Sequence, residues 1–180
     1  MSDVPSPPLP SPSTYFLDTN ALVQGYLPNT SGTGRVRQLL SKRHGAIPVY
    51  ISELARAEFR SSLYKLERVF GTHRSFTDAL INRFDRDVRL SQDGAAQRLY
   101  TVVALSADVI ERARDLLHTY RTGKPQALRS LDALQLATAL LARDALPASE
   151  QQRMAMVTSD RQLGGVAATA GLIVVRPEAP

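Results

Sequence analysis

Residues 14–23 read TYFLDTNALV. The apolar run Tyr15-Phe16-Leu17 stops on Asp18, and the chain turns at once into Asn20-Ala21-Leu22-Val23. Residues 155–160, AMVTSD, repeat the device, with a second apolar run closed by an acid, Asp160. Short apolar runs that do not alternate with polar residues mark strands buried on both faces. Further runs of this kind lie at 49–52, 100–105 and 172–175, beside those at 15–17 and 155–159. Helical patterns separate them, at about 34–43, 53–70, 75–89, 107–120, 130–143 and 161–169. Strands alternating with helices predict an α/β layered fold around a mainly parallel sheet. The two successive helical stretches, 53–70 and 75–89, are expected to form a helical hairpin beside that sheet.

The chain of 180 residues suits one domain, and 43% hydrophobic content is enough to build a core. Residues 1–13, MSDVPSPPLPSPS, hold five prolines and four serines and cannot build a core, so they read as a disordered tail. The domain is expected over 14–177, with 178–180 as a short tail. There is no cysteine, which excludes disulfides and thiolate metal sites and fits a reducing compartment. No signal-peptide pattern and no apolar run of membrane-spanning length is present, so the expected location is the cytoplasm. The net charge is +5, and only three of the 22 basic residues are lysine. The planar fork of arginine suits phosphate, which points toward nucleic acid; the plainer reading is a solvated arginine-rich surface.

Four acids resist a purely structural explanation. Asp18 and Asp160 each end a predicted strand, the place where open α/β sheets bind ligands, although each would also cap a following helix. Glu58 lies on the edge of the helical stripe Phe59, Leu63, Leu66, Phe70, with no basic residue three or four positions away. Asp132 opens a helix in which only Asp132, Gln135 and Thr138 are polar between Leu131 and Ala142. Ser130 is the expected N-cap of that helix, which puts Asp132 in its first turn, where the helix dipole favours an anion. A carboxylate on a buried helix still needs a partner, either Arg129 or a metal ion. Most of the remaining acids, among them Asp78, Asp85, Asp87, Glu111 and Asp115, lie beside arginines on helix faces that read as solvated, though Glu67, like Glu58, lacks a basic partner at helical spacing. Carboxylates gathered in one pocket repel one another unless a cation neutralises them, and an all-oxygen donor set selects Mg²⁺ or Mn²⁺. Such an ion on a basic protein fits a nuclease.

The pieces YFLDTNALV, YISELARAEFRSSL, LRSLDALQLATAL and VTSDRQLGGVAATAGLIVVRPE, in this order, resemble the PIN domain, and in particular the VapC-type toxins of bacterial type II toxin–antitoxin systems. The resemblance runs from about Thr14 to Pro177. It implies a PIN-like α/β/α sandwich with a four-acid site, which falls on Asp18, Glu58, Asp132 and Asp160 as catalytic and metal-binding residues. It further implies Mg²⁺- or Mn²⁺-dependent cleavage of RNA, a tendency to form a homodimer, and inhibition by a small cognate antitoxin. Asn20 falls on the polar position after the first aspartate and is expected to support a carboxylate or bound water. Arg129, Ser159 and Arg161 are expected to touch the RNA phosphates. The proline-rich tail and the 71–99 segment extend beyond the most compact members.

Other readings are weaker. A haloacid-dehalogenase-like phosphatase also begins with a strand ending in Asp, but needs a second Asp where this chain has Asn20. The stretch NTSGTGR lacks the Gly-Lys-Ser/Thr ending of a phosphate loop. His44, His73 and His118 have no ligand spacing. A PIN nuclease for RNA processing without an antitoxin, and a non-catalytic RNA-binding protein of PIN-like fold, are the alternatives to a toxin.

Overall fold

The computed structural model describes residues 11–28, 30–41, 47–92, 99–121 and 128–178. The elements follow one another as β1 (Thr14–Leu17), α1 (Thr19–Tyr26), α2 (Thr33–Ser41), β2 (Val49–Ser52), α3 (Ala55–Phe70), α4 (Arg74–Gln92), β3 (Thr101–Val103), α5 (Ala107–Thr119), α6 (Ser130–Asp144), α7 (Ala148–Gln151), β4 (Met154–Val157), α8 (Arg161–Thr169) and β5 (Ile173–Val175). The strands form one sheet in the order β3-β2-β1-β4-β5, every pair parallel.

Successive side chains on a strand point to opposite faces, and here both faces are covered. Leu17, Val49, Ile51 and Val157 point into a core shared with α1, α2, α3 and α4. Phe16, Met154 and Met156 point the other way, into a core built with α5, α6 and α8. Burial on both sides is why the strand sequences are apolar without alternation. The result is an α/β fold with a five-stranded parallel sheet between helical layers.

The expected hairpin of α3 and α4 packs against one face of the sheet. Phe59 and Phe84 stack with ring centroids 4.3 Å apart, and Tyr26 meets both edge-on at 5.2 and 5.6 Å. Gly71, at φ 64°, ends α3 in the left-handed conformation that glycine adopts without strain. Two acids assigned to solvated helix faces belong to this packing instead: Asp85 pairs with Arg60, and Asp87 accepts a hydrogen bond of 2.7 Å from the Tyr26 hydroxyl. The expected stripe on α3 stops at Leu66, because Phe70 is exposed.

Four elements differ most from expectation. The short helix α7 was not read from the sequence, and α1 was implied only by the capping alternative at Asp18. The strand read over 100–105 shrinks to β3, because Tyr100 turns into the core beneath α4 and only three residues pair with β2. The strand read over 155–159 ends at Val157, so Thr158 and Ser159 leave the sheet before Asp160. Residues 1–10 of the tail, 42–43 of the first helical pattern, His44, 93–98 and 179–180 lie outside the described residues. Ser11 and Ser13 are hydrogen-bonded to Arg153: the Ser11 carbonyl accepts from its guanidinium at 3.1 Å, and the Ser13 amide donates to its carbonyl at 3.0 Å. His73 and His118 are exposed. Among the described residues, no helix is long and apolar enough to cross a membrane.

The connectivity fixes where a ligand belongs. From β1 the chain builds outward through β2 to β3, then returns to place β4 on the other side of β1. The strand order therefore reverses between β1 and β4, and crevices at such a reversal, at the carboxyl ends of the strands, are where open α/β sheets bind ligands. Asp18 follows β1 and Asp160 follows β4.

Candidate active site

Asp18 is the N-cap of α1, and its Oδ1 accepts the Ala21 amide at 2.7 Å. Asp160 is the N-cap of α8, and its Oδ1 accepts the Gln162 and Leu163 amides at 2.8 and 3.0 Å. Capping and site-building are therefore not alternatives here. One oxygen of each carboxylate holds the chain and thereby aims the other. Thr158, fully buried, links the pair: its hydroxyl donates to Asp18 Oδ2 and accepts the Asp160 amide at 3.0 Å.

Asp132 sits in the first turn of α6, as expected, but the cap position belongs to Arg129 and not to Ser130. Arg129 makes no side-chain capping bond, and its guanidinium turns to the acids instead. Its Nε donates to Asp132 Oδ2 at 2.7 Å and its Nη2 to Asp160 Oδ2 at 2.8 Å. These two carboxylates, brought from α6 and from the end of β4, hold Arg129 more firmly protonated than usual, chiefly through the Asp132 hydrogen bond.

Glu58 enters from α3 and has long-range partners in place of a local ion pair. Its Oε2 accepts from the Thr19 hydroxyl and from Gln135 Nε2, and Gln135 also donates to Thr19 at 2.9 Å. Gln135 is buried, and its Oε1 has no hydrogen-bond partner. Thr19, Gln135 and Thr158 were not singled out from sequence. The signal for Gln135 was its polarity within an otherwise apolar helix; Thr19 and Thr158 gave none, since threonine is common beside turns. Asn20, expected to support a carboxylate, is exposed, and Thr19 makes the contact to Glu58. Ser159 accepts a 2.8 Å bond from Gln24, whose amide also donates to Glu178 at 2.9 Å. Arg161, the first residue of α8, is exposed.

Asp18 is 3% exposed, and its carboxyl is pushed up to about 7. Burial is the largest cause. The Ala21 and Thr158 hydrogen bonds oppose it, and the charges of Asp160 and Glu58 add to it. Asp18 thus feels the charges of two of the other three acids, and a guanidinium bridges the third, Asp132, to Asp160. The donors on offer are carboxylate, hydroxyl and amide oxygens, the set that suits a hard divalent cation. Among the described residues, no group of three or more His, Cys, Asp or Glu stands arranged to hold an ion together. Glu58 is engaged by Thr19 and Gln135, and Asp132 and Asp160 by Arg129.

Residues 15–168 match the model of the PIN domain family, and the chain belongs to that family. No curated protein matches the chain in sequence. Among solved structures, it is similar to a chain in the crystal structure of VapBC2 from Rickettsia felis bound to a DNA fragment from their promoter. The TM-score is 0.55 and the identity 17%, over 91% of this chain and 98% of that one. At this identity the likeness is one of fold.

Proposed function

We propose that this PIN-domain chain is a cytoplasmic, Mg²⁺- or Mn²⁺-dependent endoribonuclease and the toxin of a toxin–antitoxin pair, with Asp18, Glu58, Asp132 and Asp160 as the cation's ligands. One observation carries the reading: Asp18, buried and beside Asp160, lies at the reversal between β1 and β4 and feels the charges of Asp160 and Glu58. A cluster that raises the energy of its own ionised form is suited to a cation. PIN-family membership and the VapBC2 fold neighbour support the chemistry and the partner.

A bound divalent ion supplies charge for the scissile phosphate and acidifies water. The chain's own residues do the rest. Thr158 and the Ala21 amide orient Asp18; the cap bonds of Asp160 fix the direction of its other oxygen; Thr19 and Gln135 steer Glu58. Arg129 balances Asp132 and Asp160; with a cation held by those carboxylates, its guanidinium would be available to RNA phosphate. Arg161 at the α8 N-terminus meets the adjacent phosphate. A small antitoxin covers the pocket, offering the carboxylates a basic side chain, and the toxin pairs as a homodimer.

The test is cleavage of RNA by pure protein with and without EDTA, together with expression in cells with and without the product of the neighbouring small gene. Metal-dependent cleavage and toxicity relieved by the neighbour are expected. Undiminished cleavage in EDTA overturns the metal site. Harmless expression with metal-dependent cleavage leaves a nuclease for RNA processing, and RNA binding without cleavage leaves a non-catalytic protein.

A further inference from the structure

Arg129 holds the cap position of α6 without making a capping bond, and its fork closes on the site instead. Its Nε donates to Asp132 Oδ2 at 2.7 Å, and its Nη2 donates to Asp132 Oδ1 at 3.4 Å and to Asp160 Oδ2 at 2.8 Å. The other oxygen of Asp160 accepts the Gln162 and Leu163 amides. One guanidinium therefore engages both oxygens of Asp132 and the Oδ2 that the cap bonds of Asp160 leave over. The partners are unequally anchored. The Asp132 and Asp160 side chains are 18% and 20% exposed, and the Arg129 side chain is 70% exposed. The carboxylates are fixed by their elements, and the guanidinium is the partner that can leave into solvent.

We infer that Arg129 is an internal counter-ion standing in the cation's place, and that its exchange from the acids to an RNA phosphate makes cation and RNA bind cooperatively. The inference rests on the nuclease reading above. Carboxylates that share a pocket need a positive charge nearby, and here the chain supplies its own. A carboxylate oxygen has more than one lone pair. Yet a dication sharing Asp132 and Asp160 with a guanidinium would lie close to a like charge, and that repulsion is strong outside bulk water. Cation and Arg129 thus exclude each other at these two acids. Among the described residues, no three acids stand arranged to hold an ion together, as expected of a site closed on its own arginine. The exchange is inexpensive, because ion pairs made by a largely exposed side chain are weak. A guanidinium turned off the acids meets a phosphate with the same fork. RNA that takes up Arg129 leaves the acids to the cation, and a cation on the acids leaves Arg129 to RNA. By linkage the two effects are equal in free energy.

The experiment measures Mg²⁺ binding by calorimetry, without RNA, for wild type, Arg129→Gln, Arg129→Lys and Arg161→Gln, each shown to be folded by circular dichroism. Arg129→Gln is expected to bind about tenfold tighter than wild type, whose site is occupied most of the time by its own arginine. Arg129→Lys keeps the charge but not the fork and is expected to fall between the two. Arg161→Gln removes a charge from the exposed start of α8 and is expected to stay within about twofold of wild type. In the proton–nitrogen NMR spectrum of wild type, the Arg129 Nε–H is identified by its absence in Arg129→Lys. It is expected to shift, and to exchange faster with water, at saturating Mg²⁺. Cooperativity is read from the Mg²⁺ concentration for half-maximal cleavage at low and at saturating RNA. Raising RNA is expected to lower it by about tenfold more in wild type than in Arg129→Gln, because direct contact between cation and phosphate is common to both and cancels. Three results each overturn the inference: an unmoved Nε–H at saturating Mg²⁺, an affinity of Arg129→Gln at or below wild type, or equal tightening in Arg161→Gln. Arg129 is then a fixed brace between α6 and the β4–α8 turn. If neither wild type nor Arg129→Gln binds Mg²⁺ or cuts RNA, the nuclease reading itself falls, so the two failures are distinct.

Discussion

Asp18 carries a conflict, because a nearly inaccessible carboxylate would have to be ionised to hold the proposed cation. Its folded value of about 7 lies above the roughly 3.9 of an unfolded aspartate. The folded state therefore binds the extra proton between these values, and the stability that Asp18 contributes is complete below about pH 4 and lost as pH rises to about 7. Asp18→Asn removes this loss. The amide oxygen can still accept from Ala21, and its NH₂ group faces a threonine hydroxyl that can turn to accept. Melts of the metal-free proteins should coincide near pH 4 and diverge toward pH 7.5, with the variant ahead by roughly 2–4 kcal/mol and no further change above. Mn²⁺ should raise the melting temperature of wild type and not of Asp18→Asn, and RNA cleavage should be lost. A variant that tracks wild type from pH 4 to 8 and still responds to Mn²⁺ removes Asp18 from the site.

At the level of elements, the sequence disclosed some pieces and hid others for identifiable reasons. β1 and β4 were legible because strands buried on both faces must be apolar throughout, and the acids that end them break the run. α1 was hidden because eight residues holding Thr19, Asn20 and Gly25 have weak helix preference. What secures it is tertiary: Asp18 caps it, and Gly25 lets it approach α2, where a Cβ would lie 2.9 Å from Val36 Cγ1. The four proposed site acids were read from sequence, but not their hydrogen-bond partners, because Thr19, Gln135 and Thr158 act across α1, α6 and the β4–α8 turn. Gln135 shows the difference. It joins α6 to α1 and α3 by hydrogen bonds, yet keeps one buried carbonyl without a partner. Gln135→Leu deletes the bonds and the unpartnered oxygen together, so the two changes oppose each other, and the melt should stay within about 1 kcal/mol of wild type. Cleavage should drop by at least about tenfold, since Glu58 loses one of its two donors. Equal loss of stability and activity on melting and rate assays would mark Gln135 as packing alone.

For the whole molecule, the question is where the folding unit begins. Two cores, one on each face, share the strands β1 and β4, so anything that anchors the start of β1 supports both. The chain before Thr14 was read as a tail on composition, which is blind to backbone hydrogen bonds: a serine-proline stretch has no apolar surface to bury, but its amides and carbonyls can still pair. Ser13 and Ser11 use theirs on Arg153, the residue that leads into β4: the Ser13 amide adds one backbone bond next to the first β1–β4 pair, and the Arg153 guanidinium anchors the Ser11 carbonyl. Deleting residues 1–10 should therefore leave the melting temperature and the cleavage rate at wild-type values. Deleting 1–13 should cost about 1–2 kcal/mol, from two hydrogen bonds of about 1 kcal/mol or less each and the exposure of Thr14, which is otherwise fully buried. The rate per folded molecule should be unchanged in both, since neither deletion reaches Asp18 or Asp160. Paired thermal melts and single-turnover cleavage of the two truncations decide the matter. Equal melting of both would reduce the Arg153 contacts to surface decoration, and a loss already present in the 1–10 deletion would extend the folding unit to the start of the chain.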